Sequence, residues 1–369
     1  MKQIGIGVIG WGFMGRTHTF SIKTMPLHYN LDFEPRLIGI CSRRLEKAEQ
    51  AAREQGFKYA TDDYHKLLAD PEIDVVSICT PNNLHEQMAL DAIAAGKNVY
   101  IDKPLSVNYE SARRIADAAR AAGVKAQLAL NNRFFPSTML AHELVASGKL
   151  GRVTSFSAEY LHSGSVDPDR PIGWKQDCDA CGGGVLLDLG SHALDLVIWM
   201  CGKVDSIDCI TQTLYSERPT ADGGRTSNLG EDRALMLLQL ENGASGTVDA
   251  SKIATGTDDE LKINIYLTGG AVRYSSLSGD YLDVYDAGSG AGGFTHVHCG
   301  GRYAAPGGTF VPAKNAVGWI RGQVHSYYKF LEAVASGGEC APSLDDGAYL
   351  QLVMDKAYES NRIGGRVKV

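Results

Sequence analysis

The chain has no excess of basic charge. Its 36 Lys and Arg are outnumbered by 43 Asp and Glu, for a formal net charge of −7. No overall basic field exists to attract nucleic acid or anionic lipid, so neither is expected as a partner. No apolar run approaches the roughly 20 residues of a membrane span, and glycine breaks the stretch Ile4 to Ile9 too soon for a secretory signal. A cytoplasmic protein is expected. The dense cysteine spacing of a small secreted scaffold is missing as well. The eight cysteines are scattered at 41, 79, 178, 181, 201, 209, 299 and 340, which reads as reduced thiols. Only Cys178-Asp179-Ala180-Cys181 has metal-like or redox-like spacing, and no second CxxC completes the four ligands of a structural zinc site. His296 and His298 alternate ahead of Cys299 without an anchored ligand set, so no metal is expected. Internal repeats and low-complexity tracts are also lacking. What remains is an ordinary globular composition over 369 residues, 44% hydrophobic and 21% charged, long enough for two domains with a sizeable core.

The first 128 residues alternate two kinds of segment. Short runs rich in Val and Ile, at Ile4 to Ile9, Leu37 to Cys41, Val75 to Cys79, Val99 to Ile101 and Val124 to Leu130, read as strands buried on both faces. Between them, helical patterns at Leu45 to Gln55, Leu84 to Ala95 and Tyr109 to Ala122 each stop at a glycine, as a left-handed C-cap favours. This is the grammar of a parallel sheet covered by helices. From about Asn131 the grammar changes to a helix near Thr138 to Ser147, a strand near Val153 to Leu161 and a glycine-led helix. Strand candidates then follow one another at Ser206 to Leu214, Ala234 to Leu240, Ala244 to Ser251, Leu261 to Leu267, Val272 to Ser275 and Tyr281 to Tyr285. Strands without intervening helices indicate an antiparallel sheet. The expected fold is therefore α/β: a domain with a parallel, helix-covered sheet over residues 1–128, then an α+β domain with a large, open, mainly antiparallel sheet over 129–369. Asp286 to Val317, rich in Gly, Pro and aromatics, reads as a long loop, and helices at Val324 to Ser336 and Gly347 to Ser360 close the chain.

Gly10-Trp11-Gly12-Phe13-Met14-Gly15 follows the first strand and opens a helix. Gly10 permits the tight turn, Gly12 lets the backbone approach a pyrophosphate, and Gly15 lets helix and strand pack closely, with the phosphates at the positive helix end. At the tip of the second strand, a carboxylate would bond the ribose 2′-hydroxyl of NAD, whereas arginine accommodates the 2′-phosphate of NADP. This chain reads Ser42-Arg43-Arg44, with no carboxylate at the tip, and favours NADP; a solvated helix start, or recruitment of Glu46, remains the alternative. Thr80-Pro81-Asn82-Asn83-Leu84-His85 and Asp102-Lys103-Pro104 follow later strands, so both project from carboxyl ends where ligands bind. His85 could equally cap its helix. In the second domain, glycines 182 to 184 lead to Asp188 and His192, which share a face at i and i+4 if the segment is helical. Such a pair could supply a general base and the group that orients it, or a buried histidine satisfied by hydrogen bonding.

Taken together and in this order, these motifs resemble the glucose-fructose oxidoreductase, inositol dehydrogenase and rhizopine-catabolism (Gfo/Idh/MocA) family over essentially the whole chain. The resemblance implies a Rossmann domain and a second domain whose open sheet forms oligomer contacts, with a homodimer or homotetramer as the expected assembly. It implies oxidation or reduction of a ring hydroxyl of a sugar or cyclitol with NAD(P). Lys103 matches the lysine of the family's Glu-Lys-Pro motif, which reaches nicotinamide ribose and substrate, and Asp102 replaces the usual glutamate. Asp188 and His192 match the substrate-binding aspartate and the catalytic histidine. The segments Tyr160-Leu161-His162, Asp167-Pro168, Pro171-Ile172-Gly173-Trp174 and Glu217-Arg218-Pro219 are similar to members that oxidise pyranosides at C3. Asn132, where an aromatic is common, together with His162, Trp174 and Lys175, are the candidate substrate contacts, and Trp174 is also a candidate against the cofactor. Two other activities remain open. One is redox-neutral glycoside cleavage through a transient 3-keto sugar with retained cofactor; the other is a non-catalytic dinucleotide-binding regulator, which the presence of Lys103 and His192 disfavours.

Overall fold

The Val- and Ile-rich runs of the N-terminal part form strands whose side chains are buried on both faces, as parallel strands between helix layers require. The computed structural model describes residues 1–304, 312, 315–316 and 318–369. Within them β1 (Lys2–Ile9), α1 (Phe13–His28), β2 (Phe33–Cys41), α2 (Leu45–Gln55), β3 (Tyr59–Thr61), α3 (Tyr64–Ala69), β4 (Val75–Ile78), α4 (His85–Ala94), β5 (Asn98–Ile101), α5 (Tyr109–Ala122) and β6 (Ala126–Leu128) build a six-stranded parallel sheet. Its order, β3-β2-β1-β4-β5-β6, reverses direction between β1 and β4. Loops leaving the carboxyl ends of those two strands therefore flank the crevice in which such sheets bind ligands. The core of this sheet is Ile4, Ile6, Val8, Val75, Val76, Ile78, Val99 and Ile101, all buried. The short pair β3 and α3 has no strong periodicity and escapes the sequence reading.

The second unit contains α6 (Pro136–Ala146), β7 (Val153–Leu161), α7 (Cys178–Cys181), α8 (Ser191–Cys201), β8 (Val204–Gln212), β9 (Arg218–Pro219), β10 (Arg225–Thr226), β11 (Arg233–Leu240), β12 (Ser245–Ser251), β13 (Glu260–Leu267), β14 (Gly270–Ser275), β15 (Tyr281–Asp286) and β16 (Thr295–His298). Its nine-stranded sheet is antiparallel except where β12 runs parallel to β7. Alternation is clean along β11: Ala234, Met236, Leu238 and Leu240 are buried, while Leu235 and Leu237 are exposed on the other face. The buried face is covered by α8. The segment Cys178–Cys201 is long and apolar enough to cross a bilayer by length and composition, contrary to the sequence expectation, but 83% of its most apolar window is buried inside the protein. It is the central core segment of this unit.

The chain closes with α9 (Gly318–Ser336), α10 (Leu344–Ile363) and β17 (Val367–Lys368). The expected single cut between residues 128 and 129 needs correction. One unit comprises Met1–Asn131 together with Ile320–Tyr349, and the other Asn132–Arg302 with Leu350–Val369. The reason is the apolar stripe Val324, Tyr327, Tyr328 and Leu331 of α9, spaced i, i+3, i+4, i+7, which joins Tyr29 and Phe33 in the core of the first unit. Tyr328 stacks on Tyr29 with ring centroids 4.0 Å apart. Part of the predicted long loop is the strand β16; residues 305–311, 313–314 and 317 of that loop lie outside the described residues.

Two backbones cross closely just ahead of α8. A Cβ on Gly184 would lie 2.3 Å from Glu231 N, and one on Gly230 would lie 2.2 Å from Gly183 O. Neither contact can yield by rotating a side chain. Gly184→Ala is expected to cost about 1–3 kcal/mol and to lower the thermal midpoint by several degrees. Calorimetry of the variant checks this, and an unchanged midpoint would contradict the close crossing.

Candidate active site

At the end of β1 the chain turns through Gly10, whose φ of +102° is a left-handed conformation that disfavours other residues. A Cβ there would lie 2.5 Å from Cys79 O, and one on Gly15 would lie 2.0 Å from Gly10 O. Gly12 differs: a Cβ there would meet nothing within 4 Å. It is the N-cap of α1, and no side chain caps that helix end. Phe13 is exposed and Met14 half-buried in the first turn. Open space above Gly12, uncapped N–H groups and the positive helix end together form a cradle for a phosphate group.

The tip of β2 carries Ser42, whose N–H donates to Thr61 O (3.1 Å), followed by exposed Arg43 and Arg44. Among the described residues neither guanidinium forms an ion pair. Glu46 is exposed in the first turn of α2. After β4, Thr80 and Pro81 are half-buried, Asn82 is buried, and His85 has no exposed surface. His85, a candidate for cofactor contact or for capping its helix, is fully enclosed. Its Nδ1 lies 3.0 Å from Pro104 O and its Nε2 3.0 Å from Thr80 O, so the ring sits beneath both turns and ties one to the other. Burial lowers its pKa, opposed by the charge of Asp102 and by the carbonyls. Asp102 Oδ1 accepts the Lys103 N–H at 2.8 Å, which shapes the turn that presents Lys103, itself half-buried. Sequence reading missed His18, whose Nδ1 lies 2.8 Å from Ser77 Oγ and whose pKa burial lowers to about 4. The available signal was Ser77, a hydroxyl inside an otherwise apolar buried strand.

In the second unit a single π-turn, Leu186–Gly190, carries Asp188 and runs into α8, where His192 occupies the first turn. Such widened turns recur at functional sites. The turn is held from below: Glu231 Oε1 accepts the Leu186 N–H and the Tyr358 hydroxyl, both at 2.9 Å, and Tyr358 Oη accepts the Gly184 N–H at 3.2 Å. Burial pushes the Glu231 carboxyl above its ordinary pKa. Asp188 Oδ1 is 2.7 Å from Lys175 Nζ and Oδ2 is 3.0 Å from Lys252 Nζ. His192 is buried, with its ring centroid 5.8 Å from that of Tyr160. His162 is half-buried; its Nδ1 accepts the Gly164 N–H at 3.0 Å, and burial, reinforced by Lys252, lowers its pKa. With Nδ1 accepting, the neutral ring carries its proton on Nε2. Trp174 is exposed, with Lys175 Nζ 5.9 Å from its ring centroid. Asp188, Lys175, His162 and His192 are thus brought into one unit with Lys252, which sequence reading missed because its partner lies 64 positions away. Asn132 is buried in a turn whose carbonyl accepts from Thr138 Oγ1 at 2.7 Å.

Cys178 and Cys181 are free thiols on α7, and burial raises Cys181 to about 11. Among the described residues no three His, Cys, Asp or Glu side chains converge as metal ligands. His296 instead places Nδ1 2.6 Å from Asp283 and stacks on Tyr281.

A doubly wound parallel sheet with an open glycine cradle at its switch point defines a dinucleotide-binding protein. Residues 4–130 match the oxidoreductase family with an NAD-binding Rossmann fold, and residues 138–273 match the GFO/IDH/MocA C-terminal domain. Levoglucosan dehydrogenase of Pseudarthrobacter phenanthrenivorans is 30% identical over 98% of this chain and 96% of its own. Myo-inositol 2-dehydrogenase of Thermotoga maritima is 27% identical over 70% of this chain and 72% of its own. Among solved structures, levoglucosan dehydrogenase in complex with NADH and levoglucosan superposes with a TM-score of 0.95 at 30% identity, covering 100% of this chain and 99% of that one. The chain belongs to the Gfo/Idh/MocA family of NAD-binding oxidoreductases.

The cradle makes a sharp test available. Gly12→Ala adds a methyl group where nothing touches it, so the fold should change by no more than about 0.5 kcal/mol. The same methyl group occupies the approach of the pyrophosphate, and the Kd for NADH or NADPH, measured by nicotinamide fluorescence, should rise at least about tenfold. An unchanged Kd would remove Gly12 from the cofactor site.

Proposed function

We propose that this protein transfers hydride reversibly between a ring secondary hydroxyl of a sugar, glycoside or cyclitol and a nicotinamide dinucleotide. The observation that carries this reading is the Asp188 carboxylate on a widened turn, with His192 one turn on, in a chain that retains Lys103 beside the dinucleotide crevice. The sugar and cyclitol dehydrogenases among its relatives support it. In this reading His192 accepts the hydroxyl proton as general base. Lys103 donates a hydrogen bond to the same oxygen and stabilises the charge that develops there. Asp188 accepts hydrogen bonds from neighbouring hydroxyls and fixes which carbon is presented. Trp174, exposed, offers an apolar face to a pyranose ring, and His162, whose Nδ1 is occupied by the Gly164 N–H, has Nε2 to donate at the rim. Gly10, Gly12 and Gly15 with the first turn of α1 hold the pyrophosphate, and Thr80, Pro81 and Asn82 border the crevice. The bound nicotinamide supplies the hydride acceptor.

For the cofactor, Ser42, Arg43 and Arg44 support NADP, since two guanidinium groups that form no ion pair among the described residues stand at the strand tip that meets the 2′-position. The relatives solved with NADH supply the opposing comparison. The outer face of the nine-stranded sheet, with Ile210, Leu235, Leu237 and Tyr266 exposed, supports assembly into a homodimer or homotetramer through that sheet. Eight free cysteines fit a reducing, cytoplasmic setting.

The test is a panel of free sugars, cyclitols and nitrophenyl glycosides with NAD or NADP, following reduced nicotinamide and nitrophenol together. Accumulation of reduced nicotinamide is expected; nitrophenol release without it would replace dehydrogenation by redox-neutral cleavage. Lys103→Ala and His192→Ala should each lower kcat about 10²–10⁴-fold while NAD(P)H fluorescence titrations stay near wild type. Full turnover in His192→Ala would defeat its assignment. Arg43→Ala should lower kcat/KM for NADP about tenfold or more, and barely change it for NAD.

A further inference from the structure

Asp188 meets two ammonium groups of unlike character. Lys175 Nζ is 2.7 Å from Oδ1, on a side chain 49% exposed; Lys252 Nζ is 3.0 Å from Oδ2, on a side chain only 8% exposed. Asp188 itself is 12% exposed. Lys252 is fixed at its backbone on both sides: its N–H donates to Asp232 O and its carbonyl accepts the Ser165 N–H, each at 2.8 Å. Lys175 belongs to a three-residue turn, Trp174–Gln176. An exposed ammonium on a flexible stem exchanges its carboxylate contact for water at little cost, whereas a buried one that leaves its partner strands two charges.

A sugar hydroxyl is neutral. When it donates to Asp188 it replaces one hydrogen bond of the carboxylate but none of its counter-charge. The ion pair with Lys252 persists through that exchange only if the hydroxyl takes the exposed position. We infer that Lys252 is a positioning residue for the sugar-binding carboxylate, the fixed counter-ion of Asp188, whereas Lys175 is an exchangeable one whose place on Oδ1 a substrate hydroxyl takes. The inference rests on the proposed role of Asp188 in binding the substrate. It also assigns Lys175 a role as a gate that substrate displaces rather than a permanent contact.

Among the described residues, the charged and titratable groups around the pair include Tyr160 and His162 at the end of β7, Cys181 on α7, His192 on α8, Glu231 ahead of β11 and Asp259 ahead of β13. Asp188 acts on Tyr160 and His162, and Lys252 acts on His162, Cys181 and Glu231. Removing Lys252 takes a cation from beside the Asp188 carboxylate, which must then bind its proton more tightly. Activity that needs the ionised form is accordingly lost at higher pH than in the wild type.

The experiment uses the full-length protein with bound cofactor. With a sugar that the panel identifies, the acid limb of kcat/KM in Lys252→Met should move up by about one pH unit, and Lys252→Arg should restore it. Lys175→Met should leave the limb in place and change KM severalfold. In an Asp188→Asn background the Lys252→Met shift should vanish, whereas an effect through His192 would persist and overturn the inference. A wild-type limb in Lys252→Met, or an equal shift in Lys175→Met, would also overturn it. A thermal-midpoint double-mutant cycle between each lysine and Asp188 at neutral pH needs no substrate; coupling should be larger for Lys252. Strong coupling without any sugar turnover would count against the proposed function alone, and turnover without coupling against this inference alone.

Discussion

Both functional turns depend on backbone meeting backbone at a distance that leaves no room for a side chain. At the end of β1 a Cβ on Gly15 would collide with Gly10 O, and ahead of α8 one on Gly184 would collide with the backbone of Glu231. The first crossing brings the N-terminus of α1, which no side chain caps, up against the sheet beside Gly12. The second lets the segment before Asp188 run against the strand-leading residues Gly230 and Glu231, where a buried carboxylate can accept the Leu186 N–H. Glycine at these places acts through the volume it does not occupy, and the chemistry-bearing residues follow within a few positions.

The electrostatics of the two turns are opposite. The first turn of α1 carries no acidic residue, so its helix N–H groups present an unopposed positive end, with Arg43 and Arg44 at the far strand tip. In the second unit a carboxylate sits mostly out of water, and the two ammonium groups that face it favour its charged form. Burial lowers the pKa of two other histidines, His18, which joins α1 to Ser77 of β4, and His85, which lies between the turns after β4 and β5.

Much of the architecture was legible. Helices Leu45–Gln55 and Tyr109–Ala122 and strand Val153–Leu161 have the bounds that periodicity and glycine stops predict. The antiparallel strands of the second sheet fall within a few residues of their apolar runs. The glycine loop, Lys103, Asp188 and His192 were singled out by motif and resemblance. Less legible were His85, read as lining the crevice although its ring lies beneath two turns, and Lys252, which carries no local signal at all. The apolar segment Cys178–Cys201 was underestimated because its polar members, Asp188 and His192, interrupt the run.

By itself the sequence determined which segments are strands or helices and where the chain must turn tightly, because period, branching at Cβ and the absence of a side chain at glycine act between near neighbours. Only the tertiary structure decided which polar groups meet. Asp188 pairs with a lysine 64 residues away, Glu231 with a tyrosine hydroxyl 127 residues away, and α9 completes the core of the first unit although the second unit separates them in the chain. Those pairings are set by burial: a charge or an apolar stripe removed from water takes whatever partner the fold brings within reach, and the chain order does not record which partner that is.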